Sequence, residues 1–239
     1  MPHRLVRSLH AVILLLMLTL SAGLARAQTP NYSDIWWNPA ESGWGLQIAH
    51  SGTSLFGTWY TYDATNRQTF LILADGQFTS ANVWTGSIYK PSGAPYNALP
   101  YDASRYRSGT AIGTATLTFS GANNATLRYT VGTTTVSKAI ERFAFSGGTS
   151  GNYPNDLTDL YYNSAQNGWG VSLAQRGTAG LFGVIYHYDT DGLPLFFTMT
   201  DVSVAAGVWR GALYRTTSAN SNFLSATWNA SGVAAVSVG

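Results

Sequence analysis

The chain of 239 residues carries 13 basic and 11 acidic side chains, and three of its arginines lie in an N-terminal segment with the features of a removable leader. The remainder is therefore nearly neutral, which excludes the basic surface of a nucleic-acid-binding protein. Cysteine is absent, which excludes disulfides, thiol nucleophiles and cysteine-ligated zinc.

Residues 1–27 have the pattern of a secretory signal peptide. A positive start is followed by a short apolar run at 11–20 and by Ala25-Arg26-Ala27, whose small residues place cleavage before Gln28. The apolar run is about half the length that a transmembrane helix needs. We therefore predict a mature chain without a transmembrane segment, exported to the periplasm or the extracellular space.

Residues 28–147 show the alternation of half-buried β-strands. Apolar side chains recur at every second position, as at Trp44, Leu46 and Ile48, and threonine and aromatic residues are frequent. Turn sequences such as Asp75-Gly76 separate the apolar runs. We predict strands near residues 34–37, 44–50, 54–62, 68–74, 78–89, 111–120, 125–131 and 135–145.

These eight strands predict an all-β fold. Their short connections favour antiparallel neighbours, and eight such strands close most simply into a small meander barrel that has no exposed sheet edge. A β-sandwich is the alternative, because periodicity does not distinguish the two.

The sequence repeats itself after a linker at residues 148–158. Gly43-Trp44-Gly45 recurs as Gly168-Trp169-Gly170, and the strand at 54–62 has a close counterpart at 180–188. The second module, at 159–239, aligns with the first only as far as Gly113. We predict that it forms an open sheet of five strands and a remnant of the sixth, and that its free edges allow self-association.

The repeated aromatic residues are the candidates for ligand binding. Trp44 and Trp169 could offer a flat ring to a sugar or an apolar ligand, or could pack in the core. Tyrosines on one strand face could line a cleft, and nearby amide and carboxylate groups could supply hydrogen bonds. The candidate ligand-binding residues are Trp37, Asn38, Glu41, Trp44, Tyr60, Tyr62, Tyr162, Asn163, Trp169, Tyr186 and Tyr188.

No catalytic set is repeated in the two modules. Glu41 is replaced by Gln166, and neither His50 nor His187 has a histidine at the equivalent position. No Gly-x-Ser-x-Gly element is present. The repeated acids have the positions of caps and turns: Asp34 and Asp159, Asp63 and Asp189, Asp75 and Asp201. We therefore name no catalytic residue, metal site or cofactor. The sequence leaves enzyme activity undecided and favours a non-catalytic role.

The string Trp37–Gly45, continued by Trp59–Asp63 and Trp84–Tyr89, resembles a Trp/Gly-rich repeat module of exported proteins of Gram-negative bacteria. The resemblance extends over most of the mature chain. It implies an envelope or extracellular location, but the family has no settled activity.

These observations lead us to expect a non-catalytic exported protein that binds a carbohydrate or another small envelope-associated ligand through aromatic surfaces. One alternative is a structural or assembly protein that uses the open sheet edge. The other is a weak hydrolase acting through Glu41 or His50, or an accessory module of a hydrolase.

Overall fold

The computed structural model describes residues 30–143, 156–176, 180–205, 208–219 and 221–238. The predicted leader and most of the predicted linker lie outside these ranges. The described residues from Asn31 onwards belong to one compact unit. The described part of the chain is built from β-strands and two short 3₁₀ turns.

The first module is a closed antiparallel barrel of eight strands in meander order. Its strands are β1 (Asp34–Trp37), β2 (Gly45–Ser51), β3 (Ser54–Tyr62), β4 (Gln68–Ser80), β5 (Val83–Tyr89), β6 (Ala111–Phe119), β7 (Asn124–Val131) and β8 (Thr134–Arg142). Pairing of Trp36 with Arg142 joins β1 to β8 and closes the barrel. The predicted barrel is thus confirmed over the sandwich.

The predicted turn at Asp75-Gly76 is wrong, and so is the single strand predicted at 78–89, because β4 ends at Ser80 and β5 begins at Val83. Strand β4 continues through these residues with a shift in register between Ala74 and Gln77, which is a β-bulge. Asp75 has a φ of 51°, and a Cβ on Gly76 would overlap the Trp84 ring. The two residues therefore bend a strand around a large indole instead of ending it.

Aromatic side chains fill the barrel. Trp36, Trp59 and Trp84 are fully buried inside it, together with leucines and isoleucines from alternate positions of the other strands. Each buried aromatic side chain removes about 150–250 Å² from water. This burial is the main stabilising term available to a chain that cannot form disulfides.

The second module is an open antiparallel sheet of six strands, as the sequence predicts. Its order is β14-β13-β12-β11-β10-β9. The strands are β9 (Asp159–Tyr161), β10 (Gly170–Arg176), β11 (Gly180–Tyr188), β12 (Pro194–Ala205), β13 (Val208–Ser218) and β14 (Val233–Ser237). Strands β9 to β13 repeat β1 to β5, and β14 is the remnant of a sixth strand.

The two modules pack face to face through aromatic side chains. Strands β3 and β4 present their outer faces to β11 and β12, and the buried cluster between them consists of Tyr60, Tyr62, Phe70, Val184, Tyr186, Tyr188 and Phe196. Polar groups complete the contact: the Tyr62 hydroxyl donates to Thr216 Oγ1 (2.8 Å), and Gln68 Nε2 donates to the Phe196 carbonyl (3.0 Å). The aromatic face that the repeat predicts is therefore largely covered by its own duplicate.

The modules also exchange the connectors that follow β5 and β13. The connector at residues 90–110 contacts the second sheet, where the Tyr101 hydroxyl donates to the Asn167 carbonyl (2.8 Å). The connector after β13, described from residue 221 to residue 232, contacts the barrel, where Trp228 Nε1 donates to the Ser42 carbonyl (2.9 Å). Because Ser42 and Asn167 are equivalent in the repeat, the two contacts are reciprocal.

A second reciprocal pair fixes the tips of the connectors. The Phe223 amide donates to the Tyr62 carbonyl (2.9 Å), and the Tyr96 amide donates to the carbonyl of Tyr188, the repeat equivalent of Tyr62 (2.8 Å). The Phe223 ring enters the barrel mouth beside Trp59, with ring centroids 6.0 Å apart. The duplicated modules thus fold as a pair related by an approximate two-fold arrangement.

Candidate functional site

A cavity of about 380 Å³ lies between the modules, beside the aromatic contact. One wall comes from β3 and β4 of the barrel, and the other comes from the second module around its Gly-Trp-Gly element. The lining residues are Phe56, Thr58, Phe70, Ile72, Tyr106, Leu160, Tyr162, Asn167, Gly168, Trp169, Gly170 and Tyr186. We call this cavity the inter-module cleft.

The barrel wall of the inter-module cleft follows from strand alternation. Leu55 and Trp59 of β3 point into the barrel core. Phe56 and Thr58 lie at the intervening positions and therefore face outwards, towards the second module. Two outward residues of β4 extend this wall, so that it is almost entirely apolar.

The opposite wall is held by the Gly-Trp-Gly element. Gly168 has a φ of +110°, and a Cβ there would lie 2.7 Å from the Tyr106 ring, so both the turn and the close approach require glycine. Trp169 Nε1 donates to Gln166 Oε1 (3.3 Å), and its ring stacks on His187 with centroids 5.9 Å apart. These contacts fix the orientation of the Trp169 indole in the wall.

Few polar groups lie at the base of the inter-module cleft. Thr58 is 5% exposed, and its hydroxyl oxygen has no well-formed hydrogen bond in the described part of the chain. The Tyr186 hydroxyl lies 3.3 Å from Ser172 Oγ. Burial raises the pKa of Tyr186 to about 12, and the nearby Ser172 and Thr58 hydroxyls offset part of that rise. Tyr186 is therefore a neutral hydroxyl at physiological pH.

The repeat-equivalent position in the other half of the molecule is occupied by an aromatic ring of the chain itself. Phe143, directly after β8, packs between Trp37 and Phe182, with ring centroids 5.0 and 5.3 Å away. Trp37 is equivalent to Tyr162, and Phe182 is equivalent to Phe56. Both equivalents line the inter-module cleft, and the described part of the second module has no strand equivalent to β8.

Three of the predicted binding residues line the inter-module cleft, namely Tyr162, Trp169 and Tyr186. The structure places Tyr60, Tyr62 and Tyr188 in the buried contact between the modules, and Trp44 in the barrel mouth. Trp37 lies against Phe143. The contacts that cover these side chains come from parts of the chain remote in sequence.

The predicted polar binding residues have partners within the chain. The side-chain oxygens of Asn38 and Asn163 each accept a hydrogen bond from the amide two residues ahead (2.9 Å), which forms a turn. Glu41 Oε1 accepts from Lys138 Nζ (2.9 Å), and Glu41 Oε2 accepts from Trp44 Nε1 (3.1 Å). The structure does not bring these three residues to the inter-module cleft.

We expect the stability of the protein to depend on pH because of the buried side chain of His187. Burial lowers its pKa from 6.5 to about 4, so the unfolded chain binds a proton that the folded chain does not bind between these values. Stability should therefore fall as the pH falls from about 6.5 to 4 and should be unaffected by this residue above about 7. Urea unfolding midpoints measured at about pH 7.5 and 5 would show the loss.

The repeat supplies the matched variant for this measurement. His187→Thr carries the residue found at the equivalent position, Thr61, and should show a smaller loss of stability between the two pH values. An unchanged difference between the midpoints in this variant would exclude His187 as the source.

In the described residues there is no group of three histidine, aspartate or glutamate side chains arranged to hold a metal ion. Nor does any helix in these ranges have the length and apolar character needed to cross a membrane.

Comparison of the chain with protein-family models, with curated proteins and with solved structures gave no significant match.

Proposed function

We propose that this chain is an exported, non-catalytic binding protein whose inter-module cleft takes one ring of a small, largely apolar ligand. The observation that carries the proposal is the position of Phe143. An aromatic ring packs between Trp37 and Phe182, and the inter-module cleft offers the equivalent residues Tyr162 and Phe56. The chain thus contains an internal example of the chemistry that these walls accept.

The composition of the walls favours an apolar ligand over a carbohydrate. Each sugar hydroxyl that leaves water needs a hydrogen-bond partner, and an unpaired one costs about 1–3 kcal/mol. The polar side chains that line the inter-module cleft are Thr58, Tyr106, Tyr162, Asn167 and Tyr186. Such a site suits a ring with one or two polar substituents, for which Thr58 Oγ1 is a suitable partner.

The size of the inter-module cleft agrees with a small ligand. Its volume of about 380 Å³ lies in the lower part of the range of ligand pockets, about 300–1,000 Å³. Ring contacts with Trp169 or Phe56 would each contribute about 0.5–1.5 kcal/mol beyond the burial of apolar area. Affinity in the micromolar range is therefore expected for a single aromatic ligand.

A fluorescent apolar probe tests the proposal. N-phenyl-1-naphthylamine should bind with increased emission, and Tyr162→Ala should weaken its binding about threefold to tenfold because that side chain forms one wall. Tyr162 is 72% exposed, so the substitution should leave stability nearly unchanged. Tyr161→Ala is the matched control, since the neighbouring Tyr161 is 43% exposed and does not line the inter-module cleft.

Two results would overturn the proposal. One is a probe affinity that Tyr162→Ala and Tyr161→Ala change equally. The other is tighter binding of a simple sugar such as maltose, through the same residues, than of the apolar probe. The second result would favour the carbohydrate class.

The hydrolase alternative has less support from the geometry. Glu41 is engaged by Lys138 and Trp44, and His50 Nε2 lies 3.0 Å from the Gly52 carbonyl. Neither residue lines the inter-module cleft. Export is proposed from the leader pattern, and an N-terminus at Gln28 in the secreted protein would support it.

A further inference from the structure

We propose that the inter-module cleft and the adjoining edge of β9 together form a docking site for an extended segment of a partner polypeptide that carries an adjacent Arg–Phe pair. The segment adds to β9 as an antiparallel strand, its phenylalanine enters the inter-module cleft, and its arginine pairs with Asp159. The inference rests on one part of the proposed function, that the inter-module cleft holds an aromatic ring, and it assigns that ring to a phenylalanine side chain of a larger partner.

The first observation is the unpaired edge of β9. In the barrel, β1 has β2 on one side and β8 on the other. Strand β9, the equivalent of β1, pairs with β10, and no strand in the described ranges occupies its other side. An open edge presents backbone N–H and C=O groups that an incoming strand can pair with.

The second observation is the arginine on the barrel's closing strand. Arg142 Nη1 donates to Asp34 Oδ2 (3.0 Å), and the carboxylate of Asp34 is buried. Asp159 is the equivalent of Asp34 and repeats its local geometry, since the Oδ1 atom of each accepts from the next backbone amide (2.7–2.8 Å). Asp159 is exposed, and in the described part of the chain no lysine or arginine pairs with it.

The third observation joins the edge to the inter-module cleft. In the barrel, Arg142 lies opposite Trp36, and the next residue, Phe143, donates its amide to the Ile35 carbonyl. Its ring then lies on the opposite face of the strand, against Trp37 and Phe182. One dipeptide therefore satisfies the acid, the strand edge and the aromatic pocket at the same time.

The charge of Asp159 and its position relative to the inter-module cleft make the recognition of the Arg–Phe pair specific. A partner phenylalanine without the preceding arginine would leave Asp159 unpaired, and an arginine without the phenylalanine would leave the inter-module cleft without its ring. Residues one position out of register would project to the wrong face, because side chains alternate along a strand. The site therefore reads both residues in a fixed order.

The sequence of β8 and Phe143 supplies a peptide probe for the docking site. A capped, fluorescein-labelled peptide with the sequence of residues 134–143 should bind the full protein in fluorescence anisotropy and should displace N-phenyl-1-naphthylamine. Replacing Phe143 by alanine in the peptide should weaken binding about tenfold or more, since burial of a phenyl ring is lost. Replacing Arg142 by alanine should weaken it about threefold.

Protein variants locate the peptide. Asp159→Asn should weaken binding of the parent peptide about threefold and should not change binding of the Arg142→Ala peptide. Asp156→Asn is the matched control, because Asp156 is an exposed acid that precedes β9. Weaker peptide binding by Asp159→Asn would place the peptide at β9. If the peptide instead replaced β8 in the barrel, its binding would depend on Asp34.

The outcomes separate the two proposals. Loss of peptide binding with retention of the Tyr162-dependent probe binding would overturn the docking site and leave the proposed function standing. Equal binding of the parent and the Phe143→Ala peptide would also overturn the docking site. Loss of Tyr162-dependent probe binding would overturn the proposed function itself.

Discussion

Phe223→Ala is expected to lower the free energy of unfolding by about 3–5 kcal/mol, the usual cost of deleting a buried phenylalanine. Phe223 is 7% exposed, and its ring fills the barrel mouth next to Trp59. Its carbonyl also accepts from the Tyr129 hydroxyl (2.6 Å). Truncation leaves a cavity between two modules that this connector joins. Chemical denaturation followed by tryptophan fluorescence would measure the loss.

Tyr96→Ala is the matched control for this prediction. Tyr96 makes the reciprocal backbone hydrogen bond to Tyr188, and its ring contacts Phe197 with centroids 5.5 Å apart, but it is 45% exposed. Its truncation should cost less than about 1.5 kcal/mol. Equal losses for the two variants would contradict the assignment of Phe223 as the residue that seals the barrel.

The second large effect is expected at Glu41. Glu41→Gln keeps an acceptor for Trp44 Nε1 but leaves the Lys138 ammonium, whose side chain is 5% exposed, without its carboxylate. Removing one partner of a buried ion pair costs about 3 kcal/mol or more. Thermal or chemical unfolding of the variant would show a corresponding decrease in stability.

A double variant tests the cause of that decrease. Glu41→Gln combined with Lys138→Met removes both charges, and most of the lost stability should return because no buried ammonium stays unpaired. Gln166→Ala in the second module serves as the control and should have a small effect. Failure of the double variant to recover would assign the loss to some contact other than the ion pair.

The comparison of Glu41 with Gln166 shows what the sequence could and could not predict. The side chain of each residue accepts a hydrogen bond from the Nε1 atom of the tryptophan three positions ahead, so the repeat correctly marks the two residues as equivalent. Only Glu41 meets a lysine, because Lys138 lies on β8 and the second module has no counterpart of it in the described ranges. The difference between acid and amide therefore reflects a tertiary contact that the local motif does not contain.

Strand positions were largely predictable because the inner and outer faces of a barrel impose a strict alternation. One exception is β4, where Asp75-Gly76 has turn chemistry but forms a bulge around Trp84. The other is the strand predicted at 78–89, which is interrupted between Ser80 and Val83. Turn propensity is local, whereas the bulge is required by a side chain on the next strand. Sequence patterns of this kind predict a break in pairing better than they predict its form.

The candidate site was only partly predictable. The repeat predicts three of its residues, Tyr162, Trp169 and Tyr186. Phe56 and Thr58 face the inter-module cleft only because the second module packs on that side of the barrel. Face-to-face packing of the duplicates also covers Tyr60 and Tyr62. Strand periodicity gives the face of a side chain but not the surface that will cover that face.

The exchanged connectors have a consequence for synthesis of the chain. The last strand of the barrel ends at Arg142, yet the side chain that closes its mouth is Phe223, far downstream in the second module. A nascent chain therefore completes every strand of the barrel before the side chain that packs beside Trp59 at the barrel mouth has been synthesised. Until the second module has been synthesised, the barrel mouth beside Trp59 is open to solvent. The barrel therefore reaches its final packing only after the second module has been synthesised.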